Sequence, residues 1–205
     1  MPDTAHLIAF TVAALTLAVI PGPAMLYVLA RSLGGGRDVG LRSSFGTALG
    51  GCVHVVAAAA GISALVAASA TAFTVVKLLG AAYLIWLGVR TLMSATAPPP
   101  PVGARAGGDA RAFRQGVLTE ALNPKTALFF VTFLPQFCQP EHGPIAVQIA
   151  VLGLVSVAFN TAADVVIAFA AGPLGRRLAG NARWWRRQRR ATGGMLVGLG
   201  LYAAR

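Results

Sequence analysis

Charge is scarce in this chain, and acid is the scarcest part of it. Only 11% of its 205 residues are charged, against about 25% in an ordinary soluble domain, and six of them are Asp or Glu. With 56% of the residues hydrophobic, a soluble globular domain is excluded. Cysteine is nearly absent: Cys52 and Cys138 have no metal-ligand spacing and make no disulfide framework. Lysine occurs twice, against fifteen arginines. Met1 to His6 holds Asp3 and no Lys or Arg, so the basic start of a secretory signal peptide is missing. A net charge of +11 raises the question of nucleic acid, but the arginines lie between apolar runs and not on a soluble face, which argues against that partner. No nucleophile–base pair or metal-ligand cluster stands at the needed spacing. The expectation is therefore no enzyme, no metal and no cofactor.

What is present is a series of apolar runs near the roughly 20 residues that cross a bilayer, and helices are the spanning structure such runs can form. Six spans are predicted, at about Leu7–Ala30, Ser43–Ala68, Phe73–Met93, Gln115–Phe137, Pro144–Ala171 and Ala191–Ala204. The last is short: 14 residues reach about 21 Å. The first is broken by Pro21-Gly22-Pro23, where two backbone donors are missing. Arg31–Arg42, with three glycines in a row, predicts a solvent-side turn. In the second span Gly46 and Gly50 form a G-x-x-x-G pair that lets a neighbouring helix approach. Pro98 to Pro101 and the glycines after them mark a linker, which divides the chain into 1–94, a 95–112 linker and 113–205. Trp184 and Trp185, in the basic stretch Arg176–Arg190, are placed at an interfacial aromatic belt.

The fourth span carries Glu120, Asn123, Pro124 and Lys125 near its middle. A charge there costs roughly 2.5–3.5 kcal/mol on insertion scales, so it is tolerated facing a cavity or a partner. Pro124 has no N–H for the carbonyl of Glu120, and the freed oxygen needs another donor. These residues read as the wall of a buried polar site. Lys125 and Asp164 lie about 16 and 18 Å from the arginines that flank their spans, which predicts that they pair in one conformation.

A shift of 103 residues aligns Phe10 with Phe113, Thr16 with Thr119, Pro21 with Pro124, and Leu49-Gly50 with Leu152-Gly153. Three spans per half insert the halves in opposite directions. The fold class expected is an all-α integral membrane protein with six transmembrane helices as two inverted-topology three-helix repeats. Matching broken helices in the two halves point to a transporter's midplane site.

Pro21-Gly22-Pro23, the turn Ala30 to Arg37, Gly46 to His54, Lys77 to Leu84 with Gly88, and Phe113 to Phe137 around Asn123-Pro124-Lys125 together resemble the LysE/RhtB family of bacterial amino-acid exporters. The resemblance covers nearly the whole chain. It implies an inner-membrane secondary carrier that expels amino acids, with a small-molecule substrate and the lipid bilayer as its partners. His54 in the second span resembles the RhtB branch, which implies homoserine, threonine or other small amino acids. A zwitterion needs donors for its carboxylate and acceptors for its ammonium, and half-helix ends supply both. The expected half-sites are Pro21, Gly22 and Pro23 facing Asn123, Pro124 and Lys125. Asp164, Glu120 or His54 would carry a coupled proton, and Asn160 is the further polar group of the fifth span. The chain is compatible with a homo-oligomer. The alternative is a membrane thiol–disulfide electron carrier using Cys52 and Cys138.

Of 17 Lys and Arg, 14 lie in or beside the connections after spans one, three and five, which the positive-inside rule makes cytoplasmic, with both termini outside. A reporter active only in the cytoplasm is expected to work when fused within 95–108 and to fail after Arg205. The reverse pattern inverts the topology.

Overall fold

The computed structural model describes residues 2–96, 109–171 and 181–204, and every regular element among them is helical. In chain order these are α1 (Thr4–Val19), α2 (Pro23–Gly35), α3 (Arg37–Ala68), α4 (Ala70–Met93), α5 (Asp109–Ala121), α6 (Pro124–Leu128), α7 (Ile145–Ala170) and α8 (Ala182–Ala203). After α6 the chain continues as a π turn, Phe129–Phe133, and a 3-10 turn, Leu134–Phe137. The π turn opens the backbone where Phe129, Phe130, Phe133 and Phe137 are buried on the core.

Both prolines break their helices as the sequence predicts. Pro21 ends α1, and α2 restarts at Pro23, where the missing N–H would be unpaired in any case. The axis turns by 44° between them. Pro124 separates α5 from α6, with Asn123 as the N-cap accepting from Lys125 N at 3.1 Å. Three expectations need correction. The turn expected over Arg31–Arg42 is far shorter: α2 runs to Gly35, α3 starts at Arg37, and the exposed Gly36 alone links them at φ +83°. Arg31 is buried there. The last helix starts at Ala182, nine residues before the predicted span, so the arginines are part of it. Trp185 is buried against its neighbours, edge to face with Trp184, so only Trp184 of the pair is partly exposed. The proline run of the linker lies outside the described residues, and residues 109–112 already belong to α5.

The longest helix, α3, forms the middle of the bundle and packs against α2, α5 and α7. Gly46 and Gly50 make the α5 contact possible: a Cβ on Gly50 would lie 2.5 Å from Val117 O. The α4–α8 pair closes over Gly88 and Gly193, where a Cβ on either would come 2.7 Å from the other's carbonyl oxygen. At one end Asp3 N donates to Gln139 Oε1 at 2.8 Å and Gln139 Nε2 donates back to Asp3 Oδ2 at 3.0 Å, so the N-terminus and the 138–144 connection share a face.

Among the described residues three helices are long and apolar enough to cross a membrane, within Arg37–Ile62, Lys77–Thr96 and Ile145–Ala170, and the bent α1–α2 pair, taken as one span, makes a fourth. The predicted fourth and sixth spans do not reach that standard, because the first is cut at Asn123 amid charges and the second begins with arginines. Ile8, Val19, Val56, Leu79, Leu122 and Val166 all turn more than half of their surface outward, an apolar exterior suited to lipid.

The glycine contacts predict opposite signs for one substitution. Gly50→Ala forces Val117 O and the Glu120 side chain away and is expected to cost about 1–3 kcal/mol. Gly61→Ala, with nothing within 4 Å, is expected to gain about 0.5–1 kcal/mol in helix propensity. Thermal unfolding of the two variants in detergent checks both.

Candidate functional site

Each proline break frees a carbonyl, and the two are satisfied by different side chains. Pro21 cannot donate to Leu17 O. Lys125 reaches across from α6 instead, its Nζ donating to Leu17 O at 3.2 Å and to Ile20 O at 3.1 Å. A cation thereby sits on the negative end of α1, the favourable sense for a helix dipole. The side chain passes over Gly22, where a Cβ would meet Lys125 Cε and Nζ at 3.1 Å. Pro124 in turn cannot donate to Glu120 O. That oxygen accepts from Asn123 N at 2.9 Å and from His54 Nε2 at 2.8 Å. A carbonyl only accepts, so Nε2 of His54 carries a proton.

The Glu120 carboxylate is held at the start of α6. Its Oε2 accepts from Asn123 Nδ2 at 2.8 Å and its Oε1 from Thr126 Oγ1 at 2.7 Å. Across α3, Thr47 Oγ1 lies 2.8 Å from Asp164 Oδ2 and 2.8 Å from the carbonyl of Ser44. A hydroxyl has one proton, so it serves one of these acceptors at a time. Asn160 donates from Nδ2 to Ser156 O in its own helix at 2.8 Å.

These groups converge on one cavity. Gly22, Glu120, Asn123, Lys125, Asn160 and Asp164 all line it, together with Thr47. Pro21, Pro23 and Pro124 line the neighbouring space on the other side of the breaks, and His54 faces a separate apolar hollow beside Phe130. The central cavity measures about 20 Å³, room for about one water. No carboxylate lies within 4 Å of Lys125 among the described residues. The pairing with Asp164 predicted from depth is therefore absent from this arrangement: the lysine answers the α1 carbonyls and the aspartate answers Thr47.

Thr47 and Thr126 belong to the site although sequence reasoning passed over them. A threonine in an apolar helix ordinarily bonds a carbonyl one turn back and carries no signal of its own. Thr47 was findable through spacing, since Thr47, Gly51 and His54 repeat at helical intervals on one side of α3. Cys52 and Cys138 are both free thiols. Burial pushes the Cys138 thiol up to about 11, which keeps it protonated and a poor redox nucleophile.

The His54 bond to a freed carbonyl predicts a coupled pair of variants. His54→Leu is expected to cost about 1 kcal/mol by removing one of the two donors to Glu120 O. In a Pro124→Ala background the restored N–H at 124 can satisfy that oxygen, so the same substitution is expected to cost less. Unfolding of the four proteins of this cycle measures the coupling, and additive losses would show that the bond is not what His54 contributes.

Comparison with known proteins agrees with this architecture. Residues 15–205 match the family described as LysE type translocator. An uncharacterized membrane protein of Vibrio cholerae is 31% identical over 199 residues, covering 96% of this chain and 95% of its own length. A homoserine/homoserine lactone efflux protein of Salmonella typhimurium is 28% identical over 83% of this chain and 81% of its own. A leucine efflux protein of an Enterobacter species is 34% identical over 62% of this chain and 61% of its own. No solved structure matches. With nearly its whole length matched, this membrane protein belongs to the LysE-type translocator family.

Proposed function

We propose that this chain is a secondary transporter of the bacterial inner membrane that exports small amino acids through the cavity between its two broken helices. The observation that carries the reading is the convergence of two carboxylates, Glu120 and Asp164, and one ammonium, Lys125, on the ends of two proline-broken helices in a membrane interior. The α-carboxylate is placed at the start of α2, where Gly22 caps with no side chain and Ala24 and Met25 line the cavity. The substrate ammonium is placed at Asp164 and Glu120, because the freed carbonyls expected to receive it are already held by Lys125 and His54. Homoserine- or threonine-type substrates are the sequence expectation, and relatives named for homoserine and for leucine efflux support an uncharged amino acid. No observation favours the thiol carrier.

Six crossings in two inverted repeats complete the proposal. The packing supports it: α1 lies on α7 as α5 lies on α3, the equivalent pairs α3–α7 and α4–α8 are in contact, and Gly22 touches Lys125, its partner under the 103-residue shift. The bond between Asp3 and Gln139 supports a shared outer face for the N-terminus and the connection after the fourth crossing.

A cavity of about 20 Å³ holds no amino acid, so the arrangement is a closed one and transport requires the breaks to part. Lys125 is then released from the α1 carbonyls and can meet Asp164. Proton coupling follows from Thr47: when Asp164 takes a proton it donates to Thr47, whose own hydroxyl proton returns to Ser44 O. Asp164→Asn is expected to lower export by at least about tenfold while the protein still inserts.

Cells expressing the protein and loaded with dipeptides test the reading through the free amino acids that appear outside. Wild type is expected to release at least one uncharged amino acid several times faster than the Pro124→Ala variant, which restores a continuous helix. Wild-type efflux no faster than that variant for every amino acid overturns the exporter.

A further inference from the structure

A second cavity lies beside the central one and is far larger, about 430 Å³. It is enclosed by α2, the end of α4, the break before α6 and the arginine-bearing half of α8. Gly22, Asn123 and Lys125 line both spaces, so the two cavities share a wall made of the helix breaks themselves. Its own wall is mostly apolar, from Leu26, Leu87, Trp185 and Leu196. Among the described residues the charged groups on it are both cations, Lys125 and Arg189, and no carboxylate lines it. Arg189 donates from Nη1 to Ser94 O at 2.7 Å, and both residues line the cavity. The wall is also mechanically tied to α8. Gln188 Nε2 donates to Pro21 O at 3.1 Å, and Thr192 Oγ1 lies 3.4 Å from the same oxygen.

We infer that this cavity is a substrate vestibule that admits amino acids with an aliphatic side chain and a free α-carboxylate. The inference rests on the export reading and narrows its substrate class. The signs of charge set the order of events. A zwitterion is held by its carboxylate at Arg189 and Lys125, and its side chain lies against Leu26, Leu87 and Leu196. Its ammonium is repelled by both cations and points across the shared wall toward Glu120 and Asp164. Passage requires Lys125 to leave the α1 carbonyls, and a carboxylate arriving beside its ammonium is the competing partner that draws it away. A volume of about 430 Å³ falls within the range of small-molecule pockets, which the central cavity does not reach.

Purified protein in lipid nanodiscs, titrated with radiolabelled L-leucine and with L-leucinamide as competitor, tests this directly. Leucinamide keeps the ammonium and the side chain and lacks the carboxylate. Arg189→Gln is expected to weaken leucine binding about tenfold, the scale of one lost charged hydrogen bond, to leave leucinamide unchanged, and to be largely rescued by Arg189→Lys. Leu26→Trp, which fills the cavity, is expected to abolish binding of both. Should that variant fail to fold, Thr91→Cys in a cysteine-free background replaces it, with leucine expected to slow maleimide labelling severalfold. Equal effects of Arg189→Gln on leucine and leucinamide, or labelling untouched by leucine, overturn the vestibule and leave a lipid-filled crevice. Wild type that releases other amino acids from cells but does not bind leucine overturns the substrate class alone, whereas wild type that releases none overturns the export reading beneath it.

Discussion

The bundle depends on how two interrupted helices are closed inside an apolar interior. A carbonyl without a donor costs about as much as a lost hydrogen bond even in ordinary protein, and a bilayer offers no water to replace the donor. Lys125 resolves the first break by donating to Leu17 O and Ile20 O, and in doing so crosses from the second half of the chain to the first. One side chain thus satisfies the backbone, places its own charge on the end of a helix dipole and fastens the two halves together. Its removal would take the ammonium from Ile20 O, leave Leu17 O with the Ile20 N–H alone, and open a void over Gly22 in a cavity dominated by carboxylates.

The second break is closed by a different device. Leu17 and Glu120 are equivalent under the 103-residue shift, and each oxygen accepts from the backbone N–H three residues on, that of Ile20 and of Asn123; the added donor is a lysine ammonium at Leu17 O and the imidazole of His54 at Glu120 O. The difference has a physical consequence. An ammonium is a mobile point charge on a long stem that carboxylates can attract away. An imidazole packed at 5.9 Å from the Phe130 ring is held by its neighbours. Under the proposed mechanism the first break is the one that opens, and the second stays closed. The large cavity lies against both.

Small residues make this economy of charge workable. Gly46 and Gly50 bring α5 close enough to α3 for His54 to reach the backbone at Glu120, and Gly22 leaves the path along which the lysine stem runs. Gly88 and Gly193 hold α4 on α8, which fixes Gln188 and Thr192 beside Pro21 O. Any of these positions with a larger side chain moves a polar group away from the oxygen it serves.

The sequence by itself determined the class of the protein, the two breaks and the residues around them. Those follow from chemistry local to the chain: proline lacks a donor wherever it stands, and a rare lysine or glutamate in an apolar run needs a reason. It also marked the glycines at which helices meet, because close approach excludes a Cβ. Partners were beyond it. Depth matched Lys125 with Asp164 in one conformation, whereas the closed arrangement gives Lys125 to the carbonyls of α1 and Asp164 to Thr47 although both line one cavity, because only the folded chain shows which backbone oxygens compete for the ammonium. The turn expected at Arg31–Arg42 shrank to one residue because a single exposed glycine in a left-handed conformation links the two helices there. The cavity beside the breaks, with its two cations, is built from residues on four separate elements and exists only once tertiary packing has brought them together.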